Sequence, residues 1–161
     1  MLEIRIAQFE DAETIHKLAH QIYFTTYQDI LSQDQMEFML EKSYTVSALK
    51  QSMKLDQDFY LALDNSIPVG FIALKNTDEQ ILRIEKLYLL PSTQGKGFGS
   101  KLIEFAKYEA KSRFKSTLEL NVNRNNTAYH FYIKMGFKVI KEVDIPYYGY
   151  ILDDYVMWLL I

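Results

Sequence analysis

The sequence contains no cysteine. That excludes disulfide bonds and a cysteine nucleophile, and it fits a cytoplasmic location without requiring one. No apolar run approaches the ~20 residues that a membrane-spanning helix needs. The opening stretch MLEIRIAQFEDAE has neither a basic n-region nor an apolar h-region, so no secretory signal is expected. Net charge is -3, and the basic residues are dispersed along the chain. With no basic stripe, neither a nucleic acid nor a membrane is expected as a partner. A mildly acidic surface tolerates a cationic substrate but does not single one out. Histidine is scarce as well, with three in all. His16 and His20, four apart, could set two ligands on one helix face, yet no H-E-x-x-H carboxylate pattern accompanies them, and no metal is expected. There is no internal repeat, low-complexity tract or linker. What remains is a chain of 161 residues, 48% hydrophobic and 24% charged, which is enough for one domain spanning residues 1–161 with a substantial core.

Patterning supplies the elements. Alternation from Leu2 to Ile6 predicts a first strand. Asp11 is placed to cap a helix whose apolar stripe is Ile15, Leu18, Ala19 and Ile22. Ser32-Gln33-Asp34-Gln35 resembles a capping box that opens a second helix toward Leu40, and a third spans Val46 to Leu55. DFYLALDNSIPVGFIALK reads as two strands joined at Asp64-Asn65-Ser66, with Pro68 near the start of the second, where a missing donor is tolerated. ILRIEKLYLL is a strand ended by Pro91. The glycine-rich stretch then leads into a helix with Leu102, Ile103, Phe105, Ala106 and Ala110 on its apolar face. TLELNV is a strand and NTAYHFYIKM a helix, closed by Gly136. FKVIKEV and YVMWLLI end the chain as strands, the last of them aromatic. Exposed strand edges and that last strand suggest a homodimer; the alternative is an internal strand covered by its own chain.

The turn STQGKGFGSKL invites comparison with known phosphate-binding loops. A G-x-x-x-x-G-K-[ST] loop fails, because the position five after Gly95 is Ser100. A G-x-G-x-x-G fingerprint fails at the same residue. What remains is Q-x-x-G-x-G, formed by Gln94, Gly97 and Gly99. Glycines let the backbone N–H groups come close to a ligand, and the following helix turns its positive dipole end to the same place, so a pyrophosphate is the natural guest. A ligand-free strand-to-helix loop is the other reading of these few residues.

A second motif follows some thirty residues on. Asn125, Ala128, Tyr132, Gly136 and Phe137 fit N-x-x-A-x-x-x-Y-x-x-x-G-F. With the glycine loop upstream, the stretch from about Phe59 to Phe137 resembles the GCN5-related N-acetyltransferase (GNAT) superfamily. The resemblance implies an α/β (α+β) fold: a central mixed, mostly antiparallel twisted sheet of six to seven strands flanked by about four helices. It implies acetyl-coenzyme A as co-substrate. Leu87, Tyr88 and Leu89 match the strand end whose backbone pairs with the pantetheine arm. Gln94, Gly95, Lys96, Gly97, Phe98, Gly99 and Ser100 match the pyrophosphate loop, and Asn125 matches an asparagine that contacts the cofactor. Tyr132 matches the tyrosine near the thioester sulfur.

Acetyl transfer from a thioester to an amine needs a neutral amine, a polarised carbonyl and a protonated leaving thiolate. A tyrosine hydroxyl, with pKa near ~10, can donate to a thiolate whose free pKa is near ~8.5. Tyr132 as a packing aromatic is the other reading, since twelve tyrosines are available. Glu85, two residues before Leu87, matches a glutamate that acts through water in some relatives; pairing with Arg83 or Lys86 explains it equally well. Regular alternation would put Glu85, Leu87 and Leu89 on one face and Tyr88 on the other.

For the acceptor, the aromatic pair Tyr23 and Tyr27 and the ending Tyr-Gly-x-x-x-Asp-Asp at Asp154 resemble bacterial spermidine/spermine acetyltransferases. A polyamine site wants carboxylates and aromatic faces, which Asp29, Asp34, Glu37, Tyr23, Tyr27, Tyr147 and Tyr148 can supply. An amine of a peptide or protein, or cofactor binding without catalysis, are the alternatives.

Overall fold

Two of the strands show in sequence why the molecule is layered as it is. In Ile67–Asn76 every residue from Val69 to Leu74 is buried, an unbroken apolar run such as a strand covered on both faces requires. In Thr117–Asn123, by contrast, Leu118, Leu120 and Val122 are buried and alternate with the more open Glu119, Asn121 and Asn123. The computed structural model describes all 161 residues. In chain order it comprises β1 (Leu2–Ile6), α1 (Ala12–Tyr27), α2 (Gln33–Ser43), α3 (Val46–Leu55), β2 (Asp58–Asp64), β3 (Ile67–Asn76), β4 (Ile81–Leu89), α4 (Phe98–Ser112), β5 (Thr117–Asn123), α5 (Ala128–Lys134), β6 (Lys138–Tyr147) and β7 (Tyr150–Leu160). The seven strands form one sheet in the order β1-β2-β3-β4-β5-β7-β6. Only the β4–β5 pair is parallel. Five α-helices flank the sheet where about four were expected.

The helices divide between the two faces. α4 and α5 cover one, sealing Leu102, Ile103, Ala106, Tyr132 and Phe137 against Ile72, Leu82, Leu118 and Met157. α1, α2 and α3 cover the other, with Ile15, Ile22, Leu40 and Leu49 against Phe59, Leu61 and Phe71. No helix is long and apolar enough to cross a membrane.

Local chemistry explains most boundaries. Thr45 Oγ1 accepts the Ala48 N–H at 3.1 Å and starts α3 at Val46. Ser32 accepts from the Gln35 N–H at 3.1 Å, but no reciprocal bond runs from the Ser32 N–H to the Gln35 side-chain oxygen, and the buried Gln35 Nε2 has no partner either. Asp11 does not cap α1. It closes a 3-10 turn over Phe9–Asp11, accepting the Gln8 N–H at 2.8 Å and two bonds from Arg5 at 3.0 Å. Asn65 and Ser66, with φ of 50° and 68°, make the tight turn between β2 and β3, and Tyr148 and Gly149, at 49° and 86°, make the turn between β6 and β7.

The aromatic last strand is not an edge. β7 lies between β5 and β6, with Val156 and Met157 buried, so it offers no free edge to a second copy. The edges are β1 and β6, and β6 is exposed along most of its length and carries Lys138, Lys141, Glu142, Asp144 and Pro146, residues that discourage edge pairing.

Two features of β4 set up the site. It pairs with β5 only at Ile81, Leu82 and Arg83, after which the two strands part. It is also irregular against β3: Leu74 faces Ile84 while Ala73 faces Lys86, leaving Glu85 as the extra, bulged residue. Farther along, Gly70 faces Leu89. A methyl group on Gly70 would collide with the Tyr88 carbonyl oxygen and lie 2.7 Å from Leu89 Cδ2. Gly70→Ala is therefore expected to lower stability by about 1–3 kcal/mol through overpacking, read from the urea midpoint at constant m. An unchanged midpoint would mean that β3 and β4 do not approach this closely.

Candidate active site

Beyond Leu89 the chain makes a 3-10 turn at Pro91–Thr93, pinned by Thr93 Oγ1 donating to the Leu90 carbonyl at 2.7 Å. Gly95 and Gly97 follow with φ of 83° and 76°, the left-handed region that glycine takes without steric penalty. Gly97 is the N-cap of α4, and no side chain caps that end. The first α4 bond is Lys101 N–H to the Gly97 carbonyl at 3.2 Å, and the amides of Gly95, Gly97, Phe98, Gly99 and Ser100 have no acceptor within the chain. The loop is firmly anchored: Phe98 is buried in the core, Gly99 sits under the Phe131 ring, and Ser100 Oγ lies 3.6 Å from Met135 Sδ. Its outward residues are Gln94, exposed, and Lys96, whose ammonium is 3.7 Å from Asp64 Oδ2. The result is a fixed row of backbone donors at a helix N-terminus.

α5 supplies Tyr132. Asn126 Oδ1 accepts the Ala128 N–H at 2.9 Å at the start of the helix. Tyr132 is buried against Phe131 and Phe137, yet its hydroxyl makes no hydrogen bond within the chain. Burial pushes its pKa up to about 12, so the hydroxyl stays protonated at neutral pH. Asn125 is exposed at the head of the same helix, its N–H bonded to Asn123 Oδ1 at 2.8 Å. Leu87 and Leu89 pack on this α4/α5 side of β4.

The other side of β4 carries Tyr88, which packs with α1. Its hydroxyl is 3.0 Å from that of Tyr27, and Tyr23 stacks on Tyr27 with centroids 4.6 Å apart. Tyr147 is not stacked with this group. It meets Phe38 of α2, centroids 6.1 Å apart. Glu85 does not share a face with Leu87 and Leu89: the bulge turns it back toward Arg83, whose Nε donates to Glu85 Oε1 at 3.0 Å. Arg83 also donates to Glu119 Oε1 at 2.8 Å, and Trp158 donates to Glu119 Oε2 at 2.8 Å. His16 and His20 are occupied with backbone carbonyls, of Tyr44 and His16 respectively.

Among known protein families, the acetyltransferase (GNAT) domain matches residues 26–145. The chain belongs to that family. This makes it an acetyl-coenzyme A-dependent N-acetyltransferase, as its two motifs imply. The spermidine N(1)-acetyltransferase of Thermoplasma acidophilum is 31% identical over 144 residues, which cover 86% of this chain and 89% of that protein. The crystal structure of a Thermoplasma acidophilum PaiA N-acetyltransferase in complex with coenzyme A superposes with a TM-score of 0.85 at 29% identity, over 100% of this chain and 99% of that one. A peptidyl-lysine N-acetyltransferase of Salmonella typhimurium is 42% identical over 84 residues, half of each chain.

In this acetyltransferase one polar group stands out on the face away from α4. Asp154 of β7 is half-buried, and its one side-chain bond is from Asn121 Nδ2 at 3.3 Å. Asn121 Oδ1 is buried with no partner at all. Burial raises the Asp154 pKa, a nearby Asp153 adding to the effect, against smaller opposing influences from Asn121, Arg83 and Arg124. Neither Asn121 nor the Arg83–Glu119–Trp158 network was singled out from the sequence. The alternation of Glu119, Asn121 and Asn123 in TLELNVN was the available signal, since it puts three polar side chains on one face of a strand. A carboxyl whose folded pKa lies above its unfolded value favours folding in acid, and that contribution is lost as pH rises through the folded pKa. Asp154→Asn is therefore expected to be more stable than wild type at pH 7, with the gain vanishing below the ordinary aspartate pKa of about 3.9. Chemical denaturation at the two pH values checks this, and a pH-independent difference would contradict it.

Proposed function

We propose that this acetyltransferase acts on a primary amine that carries further ammonium groups, a polyamine or a similar small polycation, with Tyr132 as the acid that protonates the departing thiolate. What carries the cofactor half of this reading is the parting of β4 from β5 beyond Arg83 and Glu119, with the unbonded amides of Gly95, Gly97, Phe98, Gly99 and Ser100 beside it. The pyrophosphate takes those amides and the helix dipole of α4. The pantetheine arm lies along the free edge of β4 at Leu87, Tyr88 and Leu89, and Asn125 touches it from the head of α5. Gln94 and Lys96 border the phosphates.

In the reaction the amine nitrogen attacks the thioester carbonyl carbon, and a backbone N–H of the unpaired part of β4 holds the developing oxyanion. The C–S bond then breaks and the thiolate takes the Tyr132 proton. The nitrogen sheds one proton as the amide forms, and that proton restores Tyr132 by way of water, so protons balance. Tyr132 has its O–H free of any partner in the chain, and burial keeps that proton in place until the thiolate forms. Glu85 retains an oxygen not used by Arg83 and relays that proton through water on its way from the nitrogen.

Support for a polycation comes from Asp154, a half-buried carboxylate with no cationic partner within salt-bridge distance, and from the aromatic groups of Tyr23, Tyr27, Tyr147 and Phe38. The likeness to a spermidine N(1)-acetyltransferase over most of both chains points the same way. An amine of a peptide or protein is the second reading, favoured by the likeness to a peptidyl-lysine N-acetyltransferase over half the chain. Free-thiol release from acetyl-coenzyme A, measured with polyamines, monoamines and peptides, separates the two: polyamines are expected to be turned over fastest, and activity confined to peptides would overturn the proposal.

Two substitutions test the machinery. Gly97→Ala is expected to fold with a loss of about 1–2 kcal/mol from left-handed strain. It should abolish the rise in melting temperature that acetyl-coenzyme A gives the parent protein, because the row of amides is disturbed. Tyr132→Phe should lower kcat by about 10²–10⁴-fold while the thermal shift with acetyl-coenzyme A is kept. Full turnover at saturating substrate would remove Tyr132 from the acid role.

A further inference from the structure

Of the tyrosines gathered between α1 and β4, two differ from the rest. Tyr23 and Tyr44 are buried, 4% and 5% exposed, and serve the core. Tyr27 and Tyr88 are only half-buried. Their hydroxyls meet at 3.0 Å although they stand 61 residues apart. Both rings are wedged: Tyr23 lies 4.6 Å from Tyr27 and 6.3 Å from Tyr88, and Tyr44 lies 6.2 Å from Tyr88, centroid to centroid. The pair is therefore fixed in orientation while each ring keeps some exposed surface. The Tyr88 hydroxyl is also bonded to that of Tyr44, so three hydroxyls share two bonds and still leave one O–H donor and free lone pairs. Phenylalanine would supply the same packing; only the hydroxyls need explaining.

We propose that the Tyr27 hydroxyl, oriented by Tyr88, binds the reacting nitrogen of the acceptor, with Tyr27 the contacting residue and Tyr88 its positioning residue. The inference rests on the amine-acetyltransferase reading above and deepens it. Tyr88 lies on β4 between Leu87 and Leu89 with its side chain on the face opposite theirs, so a group held by Tyr27 reaches the β4 edge from the side away from α4. Tyr132 packs on the other side of the sheet, with α4 and α5, so Tyr27 and the acid approach from opposite faces.

The surroundings hold few charges. Burial keeps Tyr23, Tyr27, Tyr44, Tyr88 and Tyr132 protonated. The charged groups near the cluster are Glu85, felt at Tyr44, and Lys86, whose ammonium lies over the Tyr44 and Phe59 rings and is bonded to Gln57 at 2.6 Å. An ammonium entering such a throat loses hydration and meets no free counter-charge, since Glu85 is already paired with Arg83, whereas a neutral amine gives an N–H to a phenol oxygen and keeps its lone pair for the carbonyl. The site thus favours the reactive form of the acceptor at the reacting end.

The test is a double-mutant cycle, run with the amine that wild-type protein turns over fastest. Thiol release by the wild type with that amine establishes the underlying activity, so the variant ratios report on the hydroxyl pair alone. Tyr27→Phe and Tyr88→Phe should each lower kcat/KM for the amine by about three- to tenfold, the worth of one hydrogen bond. KM for acetyl-coenzyme A should stay at the wild-type value. The double variant should be no worse than Tyr27→Phe, because Tyr88 acts only through Tyr27. Losses that multiply, losses confined to the acetyl-coenzyme A KM, or an unaffected Tyr27→Phe would overturn the proposal. Should Tyr88→Phe not fold, Tyr27→Phe alone decides by the same two parameters.

Discussion

Everything in this molecule that bears on chemistry depends on a pairing that stops early. β4 and β5 run parallel for three residue pairs and then separate, although each continues for several more residues. A sheet interior that opens leaves backbone donors and acceptors without partners, which is unfavourable in a buried place unless something else takes them. Here the opening is held by ion pairs at its base, Arg83 joining Glu85 and Glu119. On either side of it the two strands remain bound to β3 and β7. The cleft is thus a feature of a rigid frame, and an extended ligand with its own amides can complete the ladder. Pantetheine has that form.

The two faces of the sheet then divide the labour. α4 and α5 bring the amide row and Tyr132 to one side, while α1 and the loop after α2 bring phenols to the other. The proposed function suits this division, because a negatively charged cofactor and a positively charged acceptor are best received from opposite sides. Asp154 and Glu119 are on the face away from α4 with Asn121, whose unpaired buried oxygen is a polar defect that a purely structural sheet would avoid. Keeping such groups costs stability, and at a substrate site that cost is the expected pattern.

Local features were legible in the sequence and long-range ones were not. α3 spans Val46–Leu55, as its pattern predicts, because cap and apolar spacing are encoded within a dozen residues. The glycine loop was legible for the same reason, and so was the Asn65-Ser66 turn. The bulge at Glu85 was not, because it arises from the register between β3 and β4, and no residue in ILRIEKLYLL announces it. Nor was the position of β7. Strand order is set by which apolar faces meet across the whole chain, and YVMWLLI reads alike at an edge or inside. Tyr27 was noticed for its ring and Tyr88 for its backbone. That their hydroxyls touch is a consequence of α1 packing on β4, which periodicity does not reveal. Asp11 failed as a cap because Arg5 and the Gln8 amide already engage its carboxylate.

The central claim is that the backbone donors at the start of α4 hold the phosphates of the acyl carrier. The chain has six glycines, so a protein labelled with nitrogen-15 at glycine alone gives six amide signals that can be followed one by one. On titration with coenzyme A, the account predicts the largest shifts at Gly95, Gly97 and Gly99, with Gly136 and Gly149 nearly unmoved. Saturation with the Gly95, Gly97 and Gly99 signals in place, or with the largest shift at Gly149, would contradict it.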